Sequence, residues 1–275
     1  MSRATKWLSF GLISLLAVFM LAACGGKETS GDSKGTGKDT LASIKDRDKI
    51  IFGVKTDTRL FGLKNPSSGD IEGFDIDISK QLAKDILGDE KKAEFKEVTS
   101  KTRIPMLQNG DIDAITATMT ITDERKKEVD FSDVYFEAGQ SLLVKKGSSI
   151  KSTEDLGKGS KVLAVKGSTS SQNIREKAPD ASVLEFENYA EAFTALKAGQ
   201  GDALTTDNAI LYGMADENKQ YQLTGETFTD EPYGIAVKKG QSGLVKEINA
   251  SLKKMKADGR YEKIYKKWIK EEPAK

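Results

Sequence analysis

Short β-rich runs alternate with helical patterns over most of this chain, and that alternation limits the folds it can adopt more than any other feature. Ile50–Val54 is an apolar run typical of a buried strand, and the apolar residues within 74–87 recur at helical spacing. A second strand is predicted at Glu94–Val98, and a third at Ala114–Met119 after a short helix around Leu107. This alternation indicates a parallel sheet covered by helices on both faces.

A second series of the same kind begins near Gln140. The strand Lys161–Val165 leads into a helix that starts at about Ser171, and further strand and helix patterns follow. Two extended segments, Leu142–Gly147 and Tyr233–Gly240, are apolar and carry the same Lys-Lys-Gly ending, which suits a pair of connections between two lobes. The sequence therefore predicts an α/β protein of two lobes, each with a mostly parallel sheet flanked by helices, joined by two crossover strands.

The predicted first lobe comprises residues 41–143 and 234–275, and the predicted second lobe comprises residues 144–233. The C-terminal segment is assigned to the first lobe because its apolar residues recur at helical spacing and are expected to pack back onto that lobe. Gly259 permits a break between two helices there. We interpret the aromatic residues of these helices as packing residues.

Residues 1–23 have the layout of a secretory signal peptide. Arg3 and Lys6 precede an apolar stretch from Trp7 to Met20. That stretch is shorter than the ~20 residues that a membrane-spanning helix needs, so a permanent transmembrane helix is the weaker interpretation.

The sequence Leu-Ala-Ala-Cys that ends at Cys24 resembles the bacterial lipobox, in which the cysteine carries lipid. Cys24 is the only cysteine, so no internal disulfide competes for its thiol. The run from Gly25 to about Asp39 lacks apolar residues, so residues 24–40 are predicted to be a lipidated cysteine and a flexible tether. The expected location is the outer face of the cell membrane, as an exported lipoprotein.

Charge and residue types exclude several classes of function. The 43 basic and 42 acidic residues nearly cancel, which disfavours binding to nucleic acid. The chain has no histidine, and its lone cysteine is assigned to the lipid anchor. The usual general base, thiol nucleophile and most transition-metal ligands are therefore lacking, and we expect no metal, no cofactor and no enzymatic activity.

Arg125 is the first candidate binding residue. It follows a predicted strand and lies in the first turn of a helix that Thr122 can cap, and ligands of parallel α/β sheets bind at such strand ends. The helix dipole opposes a cation at this position, which an anion shared by both, such as an α-carboxylate, would explain. The alternative is a surface salt bridge with Glu128 or Asp130.

Three other strand ends carry polar groups. The turn from Lys166 to Ser171 offers N–H groups and hydroxyls that can cradle a carboxylate or phosphate, or simply cap the next helix. Asp207 ends a predicted strand and can hold an ammonium group or cap a helix. Asp57 is a second acid of this kind, just after the first strand. An arginine and acids from different lobes would together complement a zwitterion.

Several motifs resemble those of one known family. They are Gly73–Asp77, Thr120–Lys127, Asp130–Ser132 and Asp202–Asp207, in this order. After the tether, essentially the whole chain resembles the type II solute-binding proteins of polar amino acid ABC importers, in the glutamine/glutamate-binding branch. The resemblance implies a periplasmic-binding-protein-like type II fold that closes on glutamine or glutamate and, as a monomer, delivers it to the importer's membrane subunits.

The resemblance also implies roles for individual residues. Arg125 would bind the α-carboxylate of the amino acid with help from Thr120 and from the turn at Ser170. Asp207 would receive the α-ammonium group with help from the backbone of Thr118.

Other residues would form the remaining walls of the implied site. Phe61 or Leu60 would be an apolar wall over the ligand, whereas the aromatic residue common in the family near Ser100 is absent from this sequence. The residues expected to lie toward the ligand's side chain are Lys55, Asp57, Arg103 and Lys166.

The choice between glutamine and glutamate depends on where these side chains point. Asp57 can accept a hydrogen bond from an amide, whereas Lys55, Arg103 and Lys166 favour a carboxylate if all three face the pocket. If these cations are paired with other groups, glutamine is favoured, because burying its neutral amide costs less free energy than burying a carboxylate without a partner. Two alternatives use the same fold differently: an enzyme similar to small-acid dehydratases, and a ligand-sensing module.

Overall fold

The computed structural model describes residues 39–269. The predicted signal peptide, Cys24 and the predicted tether as far as residue 38 lie outside the described residues, as do residues 270–275. No helix within 39–269 is long and apolar enough to cross a membrane.

Helices and strands alternate along the described chain. The α-helices are α1 (Thr40–Arg47), α2 (Phe74–Leu87), α3 (Arg103–Asn109), α4 (Arg125–Glu128), α5 (Thr169–Lys177), α6 (Tyr189–Lys197), α7 (Asn208–Glu217), α8 (Ser242–Ala257) and α9 (Arg260–Trp268). The strands are β1 (Ile50–Val54), β2 (Asp57–Thr58), β3 (Gly62–Lys64), β4 (Ile71–Glu72), β5 (Ala93–Glu97), β6 (Ala114–Ile115), β7 (Val129–Phe131), β8 (Phe136–Ala138), β9 (Gln140–Lys145), β10 (Lys161–Val165), β11 (Ser182–Phe186), β12 (Ala203–Asp207), β13 (Tyr221–Thr224), β14 (Glu231–Tyr233) and β15 (Ala236–Lys238). Helix α2 spans the residues that the apolar spacing predicted, and its apolar face is buried.

The first lobe is built on a sheet with the strand order β5-β1-β6-β15-β7. Strand β1 runs parallel to β5 and β6, whereas β15 runs antiparallel to β6 and β7. Ile50, Phe52 and Val54 point to the same face of this sheet and are fully buried, as expected for an interior strand covered by helices. The predicted strand Ala114–Met119 is too long, because only Ala114–Ile115 pairs and the chain then turns at Thr118 with a φ of 45°.

The second lobe repeats this plan with the strand order β11-β10-β12-β9-β13. Strand β10 is parallel to β11 and β12, and β9 is antiparallel to β12 and β13. In each lobe the antiparallel strand beside the parallel core, β15 or β9, is the strand that enters the lobe from a crossover. The two-lobe α/β fold is confirmed, with mixed sheets.

The crossovers are β8 and β14, which pair with each other in antiparallel register. The rings of Phe61, Phe74, Phe136 and Tyr233 pack together at this ribbon, with contacting centroids between 5.1 and 6.0 Å apart. The two segments ending in Lys-Lys-Gly supply mainly the sheet strands β9 and β15 rather than the crossovers themselves.

The pairing of β9 indicates at which residue the second lobe begins. Strand β9 pairs within the second sheet from Gln140 to Lys145, so the predicted boundary after residue 143 falls inside it. We therefore propose that the second lobe begins at Gln140. Helices α8 and α9 pack on α2 of the first lobe, where the Asp85 carboxylate accepts hydrogen bonds from Ser251 and Arg260.

Candidate ligand-binding site

Loops at the carboxyl ends of strands in the two lobes contact each other directly. Gly167, which follows β10, lies so close to the first lobe that a Cβ built on it would be 2.9 Å from the Lys101 Cα. The hydroxyl oxygens of Thr120 and Thr169 are 3.5 Å apart across the same boundary. The lobes are closed onto each other at this point.

Arg125, at the start of α4, joins the two lobes. Its Nη1 donates to the carbonyl of Thr120 at 2.8 Å in the first lobe, and its Nη2 donates to the carbonyl of Gly167 at 3.2 Å in the second. Its backbone N–H donates to Thr122 Oγ1 at 3.1 Å, which is the predicted cap. Burial lowers the pKa of Arg125, and the charges of Glu231 and Asp207 oppose that shift.

The alternative reading of Arg125 as half of a surface salt bridge is wrong. Asp130 pairs instead with Lys239 at 2.8 Å, and Glu128 accepts a hydrogen bond from Gln108. Neutral carbonyls fix the guanidinium of Arg125, and no carboxylate within the described residues forms an ion pair with it. The charge is held in position and is not neutralised by direct contact.

The turn before α5 caps the start of that helix, which was one of the two alternatives predicted for it. Ser168 Oγ accepts from the backbone N–H of Ser171 at 3.2 Å and lies 2.8 Å from Ser170 Oγ. Ser170 is buried within this turn. Thr169 Oγ1 donates to Glu231 Oε2 at 2.8 Å, which ties the turn to the crossover β14.

Asp207, at the end of β12, is buried and does not cap α7 with its side chain. Its Oδ2 accepts a hydrogen bond from the Tyr233 hydroxyl. Burial and then the charge of Glu231 raise the pKa of Asp207 to about 7, against the opposing effects of Arg125 and Arg103. An ammonium group beside this carboxyl would favour its ionised form.

Glu231 is a buried acid that sequence reasoning missed. Its Oε1 accepts from Asn173 Nδ2 at 3.1 Å, and the same amide donates to Gln140 Oε1 at 3.0 Å. Gln140 Nε2 in turn donates to Thr169 Oγ1 at 3.0 Å. The four side chains connect α5 to the crossover β14 and to the start of β9. In the sequence, Glu231 is one acid in a polar run and carries no signal of this role.

Lys55 and Arg103 form a second group of buried cations. Lys55 Nζ donates to Ser100 Oγ at 2.9 Å, and Arg103 Nη1 donates to the carbonyl of Ala117 at 2.7 Å. Burial and then Arg103 lower the pKa of Lys55 to about 7, and burial and then Arg125 lower the pKa of Arg103 to about 9. Arg103 Nε has no hydrogen-bond partner within the described part of the chain.

An aromatic ring of the second lobe lies beside Lys55. The ammonium of Lys55 lies 5.1 Å from the centre of the Tyr189 ring. Tyr189 is buried, and its hydroxyl accepts from Thr206 Oγ1 at 3.1 Å. An aromatic face from the opposite lobe therefore borders the cation group.

Asp57 joins the lobes at a different place from Arg125. Its Oδ2 accepts from the backbone N–H groups of Tyr189 at 2.6 Å and of Ala190 at 3.3 Å, which are the first residues of α6. A carboxylate at a helix N-terminus satisfies unpaired N–H groups and is favoured by the helix dipole. Asp57 in the first lobe thus holds a helix of the second.

Two predicted site residues are not brought to this cluster. The ammonium of Lys166 pairs with Glu187 on the partly exposed surface, which also raises the pKa of Lys166. Phe61 is fully buried in the aromatic cluster at the crossovers, so its ring packs against other rings. Leu60 is half-buried and has a φ of 73°. No three metal-ligating side chains of residues 39–269 are grouped to hold an ion.

The sequence matches the profile of one protein family over residues 50–271: the bacterial extracellular solute-binding proteins, family 3. It is 86% identical over 270 residues to the ABC transporter glutamine-binding protein GlnH of Bacillus subtilis (strain 168), covering 98% of this chain and 99% of that protein. It is 63% identical over 250 residues to a glutamine-binding protein of Geobacillus stearothermophilus, covering 88% and 95% of the two chains.

A solved structure similar to this one is that of an ancestral arginine-binding protein bound to glutamine. The two share 50% sequence identity and superpose with a TM-score of 0.77, over 82% of this chain and 99% of that one.

Proposed function

The chain belongs to the bacterial extracellular solute-binding proteins of family 3, and on that premise we propose that it captures glutamine for an amino acid ABC importer. This is a family of exported binding proteins rather than of enzymes. The proposed cycle is closure of the two lobes on the amino acid, followed by delivery to the membrane subunits of the importer. Ligand favours closure only through contacts that the open form lacks.

The main support for the proposal is that Arg125 of the first lobe and Asp207 of the second lie near enough in the buried cleft for each to influence the other's pKa. The guanidinium is fixed by two carbonyls from different lobes, and the carboxyl is fixed by the phenol of Tyr233. Neither group forms a direct ion pair with any residue of the range 39–269. An α-carboxylate on Arg125 and an α-ammonium on Asp207 would supply the two missing partners.

Glutamine is the proposed guest, and the ion pair between Lys166 and Glu187 is the contact that favours it over glutamate. Lys166 pairs with Glu187, Lys55 binds Ser100, and Arg103 binds backbone carbonyls. Because Lys166 is already paired, a glutamate side chain would bring a further charge into a buried site without that ammonium to meet it, whereas an amide carries no charge. The names of the two similar proteins described above agree with this choice.

Calorimetric titration of the purified, ligand-stripped protein with each of the twenty amino acids tests the proposal. We expect glutamine to bind most tightly, with an affinity at least about tenfold above that of glutamate, which is ~1.4 kcal/mol. If no amino acid binds, the assignment as an amino acid receptor is wrong. If glutamate binds more tightly than glutamine, only the assignment of the side-chain end of the site is wrong.

We further propose that the protein acts as a monomer held at the outer face of the membrane by lipid on Cys24. The lipobox-like sequence and the lone thiol support this anchor. The anchor would keep the receptor close to the importer that it serves. Labelled palmitate should appear on the wild-type chain, and its appearance on a Cys24→Ser variant would contradict the assignment.

A further inference from the structure

Thr118 has a backbone conformation that its side chain disfavours. Its φ of 45° lies in the left-handed region, which β-branched residues rarely adopt. The residue is buried and lies two positions before Thr120, whose carbonyl holds Arg125. Conformations of this kind persist only where surrounding groups enforce them, and they cluster at functional sites.

Buried side chains from separate elements enforce it. Asp75 Oδ2, in the first turn of α2, accepts from the Thr118 N–H at 3.0 Å, and Asp75 Oδ1 accepts from the Tyr135 hydroxyl at 2.8 Å. Arg103 Nη1 contacts the carbonyls on either side of the turn, that of Ala117 at 2.7 Å and that of Thr118 at 3.4 Å. Burial raises the pKa of Tyr135, which keeps its hydroxyl protonated as a donor.

The family motif that contains Asp75 explains how the carboxylate reaches this position. A Cβ on Gly73 would lie 2.0 Å from the carbonyl oxygen of Phe61, so only glycine lets the start of α2 approach the chain there. The backbone N–H of Asp75 then donates to that same carbonyl at 3.1 Å. The approach fixes the first turn of α2 beneath Thr118.

Thr118 is held in place and yet is incompletely bonded. Its Oγ1 is buried and has no hydrogen-bond partner within residues 39–269, and the same holds for the neighbouring Thr116 Oγ1 and for Arg103 Nε. Buried polar atoms in folded proteins nearly always have partners. Thr118 is strained, its hydroxyl lacks a partner among the described residues, and it lies near the carbonyl that fixes Arg125. These features indicate a position where a bound ligand would supply the missing hydrogen bond.

We propose that Asp75 is a positioning residue that holds Thr118 in its left-handed conformation, so that this part of the site is formed before the amino acid binds. The proposal rests on the proposed function of the cleft as an amino acid site. Asp75 acts on the ligand only through Thr118. If Asp75 served only the stability of the core, substitutions of Asp75 and Thr118 would have additive effects on the free energy of glutamine binding.

The first test compares Asp75→Asn with Asp77→Asn. Asp77 lies in the same turn of α2 but pairs with Lys267 and Trp268, away from Thr118. An asparagine oxygen at position 75 can serve one of the two donors, while its amide cannot accept from the other. We expect Asp75→Asn to weaken glutamine binding about 10-fold to 100-fold, and Asp77→Asn to leave it within about twofold.

The second test removes the need for the clamp, by which we mean the hydrogen bond from the backbone N–H of Thr118 to the Asp75 carboxylate. Glycine adopts positive φ freely, so a Thr118→Gly chain reaches the same backbone conformation without Asp75. Adding Asp75→Asn to Thr118→Gly should cost less than about threefold in affinity, against the much larger loss in the wild-type background. An equal loss in both backgrounds would overturn the proposal. If Asp75→Asn does not fold, Tyr135→Phe, which removes one of the two donors, takes its place in this cycle.

Hydrogen exchange supplies a readout that needs no ligand. The amide of residue 118 should exchange faster in ligand-free Asp75→Asn than in the wild type, while amides of the interior strand β1 keep their protection. Unchanged exchange at residue 118 would contradict the clamp. If the wild type binds no glutamine but residue 118 still exchanges faster in Asp75→Asn than in the wild type, the proposed function is wrong and the clamp is supported.

Discussion

The two sides of the cleft differ in the charges they bring to it. The first lobe supplies the cations Lys55, Arg103 and Arg125, whereas the second lobe and the crossover supply the acids Asp207 and Glu231. None of these five side chains forms an ion pair within the described part of the chain. Closure brings opposite charges near each other without letting them touch.

Neutral groups keep these charges apart. Backbone carbonyls hold Arg103 and Arg125, and the hydroxyl of Ser100 holds Lys55. On the other side, hydroxyls and an amide hold Asp207 and Glu231. Neutral partners fix the geometry of a charged side chain and leave its charge available. A dipolar ligand, with one charge for each side, would therefore complete the electrostatics of the closed cleft.

Removing the cation that faces both lobes should have the largest effect. Arg125→Ala is expected to weaken glutamine binding by about 3–5 kcal/mol, because the α-carboxylate would be buried without a partner. The matched control is Lys126→Ala, at the next residue of α4, whose exposed ammonium pairs with Asp123 at 3.0 Å. Calorimetry of both variants gives the measurement. Wild-type affinity in Arg125→Ala would show that the carboxylate docks elsewhere.

Sequence patterns predicted the positions of Arg125 and Asp207 but not the partners of the longer side chains. Helix caps, strand ends and apolar spacing are local signals, so the bounds of α2 and the turn at Thr122 followed from them. The surface pair of Lys166 and the helix contact of Asp57 depend on residues more than twenty positions away. The contact of Asp57 joins the two lobes and the pair of Lys166 lies within the second lobe, and no local pattern encodes either of them.

Asp57 tests whether an acid of the first lobe serves closure or ligand choice. Asp57→Asn should weaken the contact with the first N–H groups of α6 and lower the affinities for glutamine and glutamate together, by about 1–2 kcal/mol each. The ratio of the two affinities should stay constant, because Asp57 holds the other lobe rather than the ligand's amide. Competition titrations measure that ratio, and Asp70→Asn, at an exposed position, is the control. A changed ratio would restore Asp57 to the side-chain end of the site.

Lys55 should have the smallest effect on glutamine affinity, about threefold or less on Lys55→Met, because its ammonium binds Ser100 rather than a ligand. Its signature is instead the pH dependence of stability. Burial, reinforced by Arg103, lowers the pKa of Lys55 to about 7 from an ordinary value of 10.5, so between these two values the unfolded chain binds more protons than the folded one. Stability of the wild type therefore rises with pH across that window, and the burial penalty is fully present below pH ~7.

Lys55→Met removes this titrating group and its penalty. Relative to the wild type, the ligand-free variant should gain most in melting temperature near pH 6, and the gain should shrink as the pH rises toward 10. Thermal unfolding of both proteins at several pH values measures the difference, and the exposed Lys91→Met serves as a control for loss of a lysine charge. If the difference in melting temperature does not depend on pH, the pKa of Lys55 is the same in the folded and the unfolded chain, and burial does not penalise its charged form.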